Sequence, residues 1–159
     1  MARKDITMTH DEQQAFLAQG HTLIVTTIGK DGWPHVAPMW YFLDDEGRVG
    51  FRSFTKSQKI VNLVRHPKLT VLLEEGEAYE ELRGIMIKGT ATLVDDPSHV
   101  LGMYGELSRR YAFTGTEVVP LEGDALEAAF GRFAPKNTGV IVQPESVVSW
   151  DHRKLAGAY

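Results

Sequence analysis

The 159-residue chain has no cysteine, which excludes disulfides, thiol catalysis and any cysteine-ligated zinc site. No apolar run approaches the roughly 18 residues a membrane-spanning helix needs, and the N-terminal MARKDITMTHDEQQ lacks the hydrophobic core of a signal peptide. A cytoplasmic protein with no membrane partner is therefore expected. An excess of positive charge is also missing. Seventeen Lys plus Arg against 21 Asp plus Glu leave a net charge of −4, which argues against nucleic-acid binding by bulk charge and confines any anion site to a local cluster. No GxGxxG follows a strand and no GxxxxGK[ST] occurs, so dinucleotide folds and P-loops fall away. His35 and His66 have neither a carboxylate nor a second histidine at ligand spacing, so no metal is expected and both read as surface residues.

What is present is one domain spanning residues 1–159, with a hydrophobic share of 43% and a charged share of 24%, ordinary for a globular protein with a real core. Its chemistry concentrates in Phe51 to Leu73, FRSFTKSQKIVNLVRHPKLTVLL. Phe51 to Phe54 ends an extended run, Thr55 with Gln58 has capping-box spacing, and Ile60, Val61, Leu63 and Val64 give a short helix an apolar side before Pro67 stops it. The helix start thus gathers Lys56, Ser57, Gln58 and Lys59 with the unpaired N–H groups of a first turn, an anion site. Paired surface lysines are usually just solvated. Cations at a helix N-terminus, however, oppose the macrodipole, and these follow a strand end, where ligands are commonly presented.

The remaining elements surround this stretch. Thr9 and Glu12 form a capping box for an N-terminal helix over residues 9–20, with Phe16 and Leu17 buried and Gly20 closing it. A strand over His21 to Ile28, a Gly29-Lys30-Asp31-Gly32 turn, a returning strand over Trp33 to Leu43 and a third over Arg48 to Phe54 read as an antiparallel meander. Pro34 and Pro38 cannot donate ladder hydrogen bonds, so part of the returning strand must lie at an edge, a bulge or a ligand-facing gap. Lys68 to Glu74 is a compact strand, and Glu74 to Glu81 is a solvated loop that includes Tyr79. Leu82 to Val94 is a long strand carrying Ile85, Ile87, Ala91 and Leu93 on one face, with Gly84 and Gly89 as bend points. Asp96-Pro97 opens a helix that ends near Gly115, with Val100, Tyr104, Leu107 and Tyr111 on one face. Met103, Tyr104 and Tyr111 then read as core or interface. Thr116 to Gly123 is a loop, Asp124 to Phe133 a weaker helix and Thr138 to Trp150 a last strand. The tail, residues 151–159, is expected to be mobile unless a partner orders it. Six mostly antiparallel strands with short flanking helices make a mainly β fold, a small barrel.

The ordered set Gly32-Trp33-Pro34-His35-Val36, Pro38-Met39-Trp40-Tyr41, Lys56-Ser57-Gln58-Lys59 with Asn62-Leu63 and Pro67, Gly84 to Thr92, and Trp150-Asp151-His152-Arg153-Lys154-Leu155 covers most of the chain. It resembles the split β-barrel family of pyridoxamine phosphate oxidase and its flavin- and deazaflavin-binding relatives. KSQK, VNL and WDHRKL are most similar to the actinobacterial B group of oxidoreductases that use the 8-hydroxy-5-deazaflavin coenzyme F-420. The resemblance implies a six-stranded antiparallel split β-barrel and a homodimer with cofactor sites at the subunit interface. It puts Ser57 and Lys59 at the cofactor phosphate with Lys56 and Gln58 in the same turn, Arg52 and Ser53 beside them, and the backbone of Val36, Ala37, Pro38 and Met39 along the tricyclic ring with Trp40 near it. Thr26 and Thr27 read as strand residues within reach of the ring, Asn62 as a fixture of the helix, and Arg153 and Lys154 as either solvated or near an anionic cofactor tail.

The family's oxidases carry a phosphate-holding arginine where this chain has Ala37, and their C-terminal arginine motif is not recognisable, so pyridoxamine phosphate oxidase activity itself is not expected. Flavin binding stays open because Lys56, Lys59 and Arg52 compensate. The implied activity is hydride transfer from reduced coenzyme F-420 to a small electron-poor acceptor, with no side chain named as catalytic. The alternatives are an FMN-dependent oxidoreductase and a cofactor-binding or storage protein without turnover.

Overall fold

The computed structural model describes residues 6–157; the two ends of the expected single domain and the last residues of the tail lie outside them. Helix α1 (His10–Gln19) begins at the expected capping box, with the Thr9 hydroxyl accepting from the Glu12 N–H and the Glu12 carboxylate from the Thr9 N–H. Strands β1 (Leu23–Ile28) and β2 (Pro34–Met39) follow as a hairpin, turned by Gly32 at φ +84°, where a β-carbon would be strained. Then come β3 (Phe42–Leu43), β4 (Val49–Phe54), α2 (Gln58–Arg65), β5 (Lys68–Glu75), β6 (Arg83–Val94), α3 (Pro97–Ser108), α4 (Gly123–Phe130) and β7 (Asn137–Asp151).

The seven strands among the described residues form one sheet in the order β2-β1-β5-β6-β7-β4-β3, with every neighbouring pair antiparallel. β2 and β3 therefore sit at opposite edges, yet only Trp40 and Tyr41 separate them in sequence. A flat sheet of this width would put those edges roughly 29 Å apart. The chain from Met39 to Phe42 can reach only about 11 Å. The sheet must curl until its edges nearly meet, giving a barrel with a split closed by two residues rather than by a ladder. The returning strand expected over Trp33 to Leu43 is thus two strands, and the meander ends at its second member because β4 pairs with β7 and not with β2. Both prolines lie on the edge strand β2, as their missing donors require.

The barrel interior is filled from all sides by Leu23, Val25, Val49, Phe51, Val71, Ile85, Val140 and Val142, with Phe16, Leu17, Ile60 and Leu63 closing the ends from α1 and α2. Each such burial is worth roughly 1.5–3 kcal/mol relative to exposure. In β6 the pairing with β7 shifts register between Lys88 and Gly89, the expected bulge. Gly84 is no bulge; it is small because a β-carbon there would occupy the Trp150 indole.

Three other expectations change. α3 ends at Ser108 rather than near Gly115, because Tyr111 leaves the helical path to bury its ring and donate its hydroxyl to the His21 carbonyl at 2.7 Å. Thr55 and Gln58 form no capping box. Thr55 pairs instead with the Thr138 hydroxyl at 2.9 Å, Gln58 donates to Asn62 Oδ1 at 2.8 Å, and α2 is capped by Ser57 without a side-chain bond. The tail is ordered through Leu155, which is buried below a 3-10 turn over His152–Leu155. There Lys154 pairs with Glu12, and the buried Asp151 carboxylate takes four hydrogen bonds from Arg153 at 2.6 to 3.2 Å.

Those bonds hold the Asp151 carboxyl below its ordinary value of 3.8. The stabilisation is present above that value and is lost as pH falls through the depressed folded-state value. Asp151→Asn should cost about 1–3 kcal/mol in urea unfolding at pH 7, with the gap to wild type closing as pH drops below the ordinary carboxylate range. A gap that stays constant with pH would show that the Arg153 pair contributes nothing.

Candidate functional site

Strand alternation divides β4. Phe51 and Ser53 point towards the barrel and are buried, while Arg52 points to the opposite face, under α3. The Phe54 carbonyl then accepts from the Ser57 N–H at 2.8 Å, a turn that carries the chain into α2. Ser57 is the N-cap, but its hydroxyl lies 3.0 Å from the Ser53 hydroxyl instead of capping the helix. Lys59 Nζ donates to the same Ser53 hydroxyl at 3.3 Å. One ammonium, two hydroxyls and the uncapped first-turn N–H groups of α2 therefore converge.

No carboxylate balances this cluster; among the described residues, no ion pair involves Lys56, Lys59 or Arg52. Partial burial pushes the Lys59 ammonium below its usual value with no opposing charge to restore it. Arg52 is in the same position. Its Nη1 donates to Asn137 Oδ1 at 3.1 Å and its guanidinium lies 4.1 Å from the centre of the Tyr104 ring, while its buried Nε has no acceptor. Burial lowers its pKa as well. Desolvated cations without acids are costly unless an anion joins them.

Beside this cluster, at the split, a cleft of about 390 Å³ is lined by Pro38, Met39 and Trp40 from the β2 edge, Arg52, Ser53 and Phe54 from β4, and Thr22 and Leu107. Trp40 is fixed there by stacking on Tyr111 at 4.6 Å, edge-on to Phe113. Of the residues expected from sequence, Pro38, Met39, Trp40, Arg52 and Ser53 share this cleft, and Ser57 and Lys59 join it through Ser53. Gln58 turns away to a second depression of about 670 Å³ with Trp33, His35 and Asn62. Val36 is exposed and Ala37 half-buried on the β2 edge, while Lys56 is exposed beside the turn. Asn62 is fully buried, bonded to Thr27, Gln58 and Arg65, and so fixes α2 on β1. Sequence reasoning missed Thr22, Phe54 and Leu107 in the cleft and Tyr111 behind it. Helical spacing had marked Leu107 and Tyr111 as inward-facing; nothing in sequence marked Thr22. Among the described residues no cluster of three or more His, Asp or Glu could hold a metal ion, and no helix is long and apolar enough to cross a membrane.

A family model described as pyridoxamine 5'-phosphate oxidase matches residues 9–147. The structure of conserved hypothetical protein Rv2991 from Mycobacterium tuberculosis superposes with a TM-score of 0.86 at 35% identity, over 98% of this chain and 92% of that one. At the level of fold alone, an F-420 reductase superposes with a TM-score of 0.63 at 22% identity, covering 85% of this chain and 94% of that one. So does HutZ, the heme storage protein of Vibrio cholerae, with a TM-score of 0.59 at 14% identity over 89% and 94%. No curated protein matches the chain in sequence.

The Tyr111 hydroxyl accepts from the buried Tyr41 N–H at 3.2 Å as it donates to His21, and its ring backs Trp40. Tyr111→Phe should cost about 1–3 kcal/mol in urea unfolding, because the Tyr41 N–H is left unpaired. An unchanged unfolding midpoint would mean that this hydroxyl does not hold the cleft wall.

Proposed function

The chain belongs to the pyridoxamine 5'-phosphate oxidase family of split β-barrels, whose members bind flavins and include oxidoreductases, and on that basis we propose that it is a deazaflavin-dependent oxidoreductase using coenzyme F-420. The observation that carries this reading is the Ser53–Ser57–Lys59 cluster, an anion cradle without acids, opening onto a cleft at the barrel split. These groups fit a cofactor phosphate. Lys59 supplies the charge, Ser57 and Ser53 the hydroxyls, the first turn of α2 its free N–H groups, and Lys56 further positive potential. β2 pairs on one side only, so the outer main-chain groups of Val36 to Met39 are available to the polar edge of a tricyclic ring. Trp40 and Met39 wall the cleft.

When bound, the cofactor supplies two-electron hydride chemistry from its C5 position, reducing an electron-poor double bond that takes its proton from water. The chain's part is to bind, orient and exclude solvent. No side chain in the cleft is required as an acid, and none is assigned that role. KSQK and WDHRKL, together with the fold shared with an F-420 reductase, favour the deazaflavin over FMN. Ala37, where the oxidases hold a flavin phosphate with arginine, speaks against pyridoxamine phosphate oxidase activity itself.

The working unit in this reading is a homodimer whose second copy covers the site. α2 turns only Ile60, Asn62 and Leu63 inward; Val61 and Val64, expected on its buried side, are 46% and 70% exposed. Trp33 and Val36 on the β1–β2 hairpin and Phe54 at the end of β4 are exposed too. These elements surround the site, and so much bare apolar surface there suits a subunit contact.

Titration of the purified protein with oxidised coenzyme F-420, and separately with FMN, tests the assignment by fluorescence quenching at fixed salt. Tighter deazaflavin binding is expected, and Lys59→Ala should weaken it by about 1.5–3 kcal/mol, roughly 10- to 150-fold, through loss of a charge-assisted phosphate contact. Tight binding of FMN alone would transfer the protein to the flavin branch, and binding of neither would overturn the phosphate site. Sedimentation tests the dimer: Val64→Glu should convert a dimer to monomer and weaken cofactor binding with it. A wild-type monomer at micromolar concentration would sink the shared-site arrangement.

A further inference from the structure

Arg52 is left over once the phosphate cradle is assigned. It leaves β4 on the face opposite Ser53, so it does not belong to the Ser53–Ser57–Lys59 cluster, yet it lines the cleft. The rest of that lining is uncharged: the hydroxyl residues Thr22 and Ser53, and Pro38, Met39, Trp40, Phe54 and Leu107. An apolar pocket of a few hundred Å³ with one placed charge is the usual form of a small-molecule site, and the charge reports the ligand's own.

The guanidinium is also pre-set. Nη1 is committed to Asn137, and the central carbon of the group lies over the Tyr104 ring. Nε is shielded from solvent without an acceptor, and no hydrogen bond within the described residues engages Nη2. With Nη1 committed and Nε shut off from the cleft, Nη2 is left to give a carboxylate one charge-assisted bond. A single guanidinium balances one negative charge, which suits a carboxylate better than a doubly charged phosphate. The stacked Trp40–Tyr111 pair offers the apolar wall for the remainder of the ligand.

We propose that this cleft binds the hydride acceptor on its Arg52 side, next to the cofactor ring on its β2 edge, that the acceptor is a small unsaturated organic acid with an apolar or aromatic body, and that Arg52 holds its carboxylate. The assignment rests on the cofactor reading for the word acceptor; the acid site itself does not depend on it. Arg52 then sets substrate specificity, and its charge steadies the negative charge gathering on the acid as the double bond accepts hydride.

The test uses saturated probes that cannot be reduced. 3-Phenylpropanoate and 3-phenylpropanamide are titrated calorimetrically into the cofactor-free protein at fixed low salt, then again in the presence of saturating coenzyme F-420. The acid should bind at least about tenfold more tightly than the amide, with and without cofactor. Arg52→Gln should abolish that preference while leaving the coenzyme dissociation constant within about twofold and the unfolding midpoint close to wild type. Arg52→Lys, which keeps the charge and loses the planar guanidinium, should retain part of the preference and serves if the glutamine variant does not fold. Equal affinity for acid and amide, binding of neither probe, displacement of the acid by coenzyme, or an Arg52→Gln variant that loses coenzyme as Lys59→Ala does would each overturn the proposal. Failure of the cofactor reading shows separately, as a wild-type protein that prefers the acid but binds neither coenzyme nor FMN.

Discussion

The rest of the structure depends on the two-residue link between β2 and β3. Because Trp40 and Tyr41 cannot span a flat seven-stranded sheet, the sheet closes on itself, and the unpaired edge of β2 comes to face β4 across a narrow split. Tyr41 pins this closure. It is fully buried, its hydroxyl donates to the Leu17 carbonyl, its N–H donates to Tyr111, and the Arg110 guanidinium lies 4.6 Å from the centre of its ring. Burial pushes its phenol up to about 12, so it stays a neutral donor across the physiological range. Trp40, the neighbour in the link, is consequently held at the mouth of the cleft, and the residue that closes the fold adjoins the one that shapes the site.

The electrostatics of the site run against stability. The first turn of α2 contains no acid, its N-cap hydroxyl is diverted to Ser53, and Lys59 and Arg52 are partly desolvated without counter-ions. A helix built only to be stable would place a capping side chain and carboxylates there. Elsewhere the same chain follows the usual rules. α1 has a complete capping box with Asp11 and Glu12 in its first turn, Asp96 caps α3, and Asp151 is matched with Arg153. The departure is local to the split, where an anionic ligand would relieve it, and the exposed Val61, Val64 and Phe54 lie on the same elements.

Much of the fold was legible because it is written in short-range chemistry. The Thr9–Glu12 and Asp96–Pro97 helix starts, the glycine turn before Trp33 and the alternation of β6 depend on neighbours a few residues apart, and they stand as expected. The Thr55–Gln58 spacing failed because both side chains found better partners far away in sequence or one turn on, Thr138 and Asn62. The end of α3 was misplaced because helical periodicity continues past Ser108, whereas Tyr111 is drawn off by bonds to His21 and Tyr41. The tail looked mobile because its anchors, Glu12 and the Thr7 carbonyl, both held by Lys154, lie at the other end of the chain.

By itself, then, the sequence determined the mainly β class, the strand and helix inventory to within one strand, the proline-bearing edge and the basic helix start. These follow from periodicity, donor loss and local capping, all read within a few residues. Only the tertiary structure decided that Trp33 to Leu43 would break in two, that β4 would pair with β7, and that Arg52 would line the cleft while Lys59 meets Ser53 on the other face of β4, neither paired with an acid among the described residues. Strand partners and unmatched charges are properties of surfaces brought together from distant segments, and no local pattern encodes which surfaces will meet.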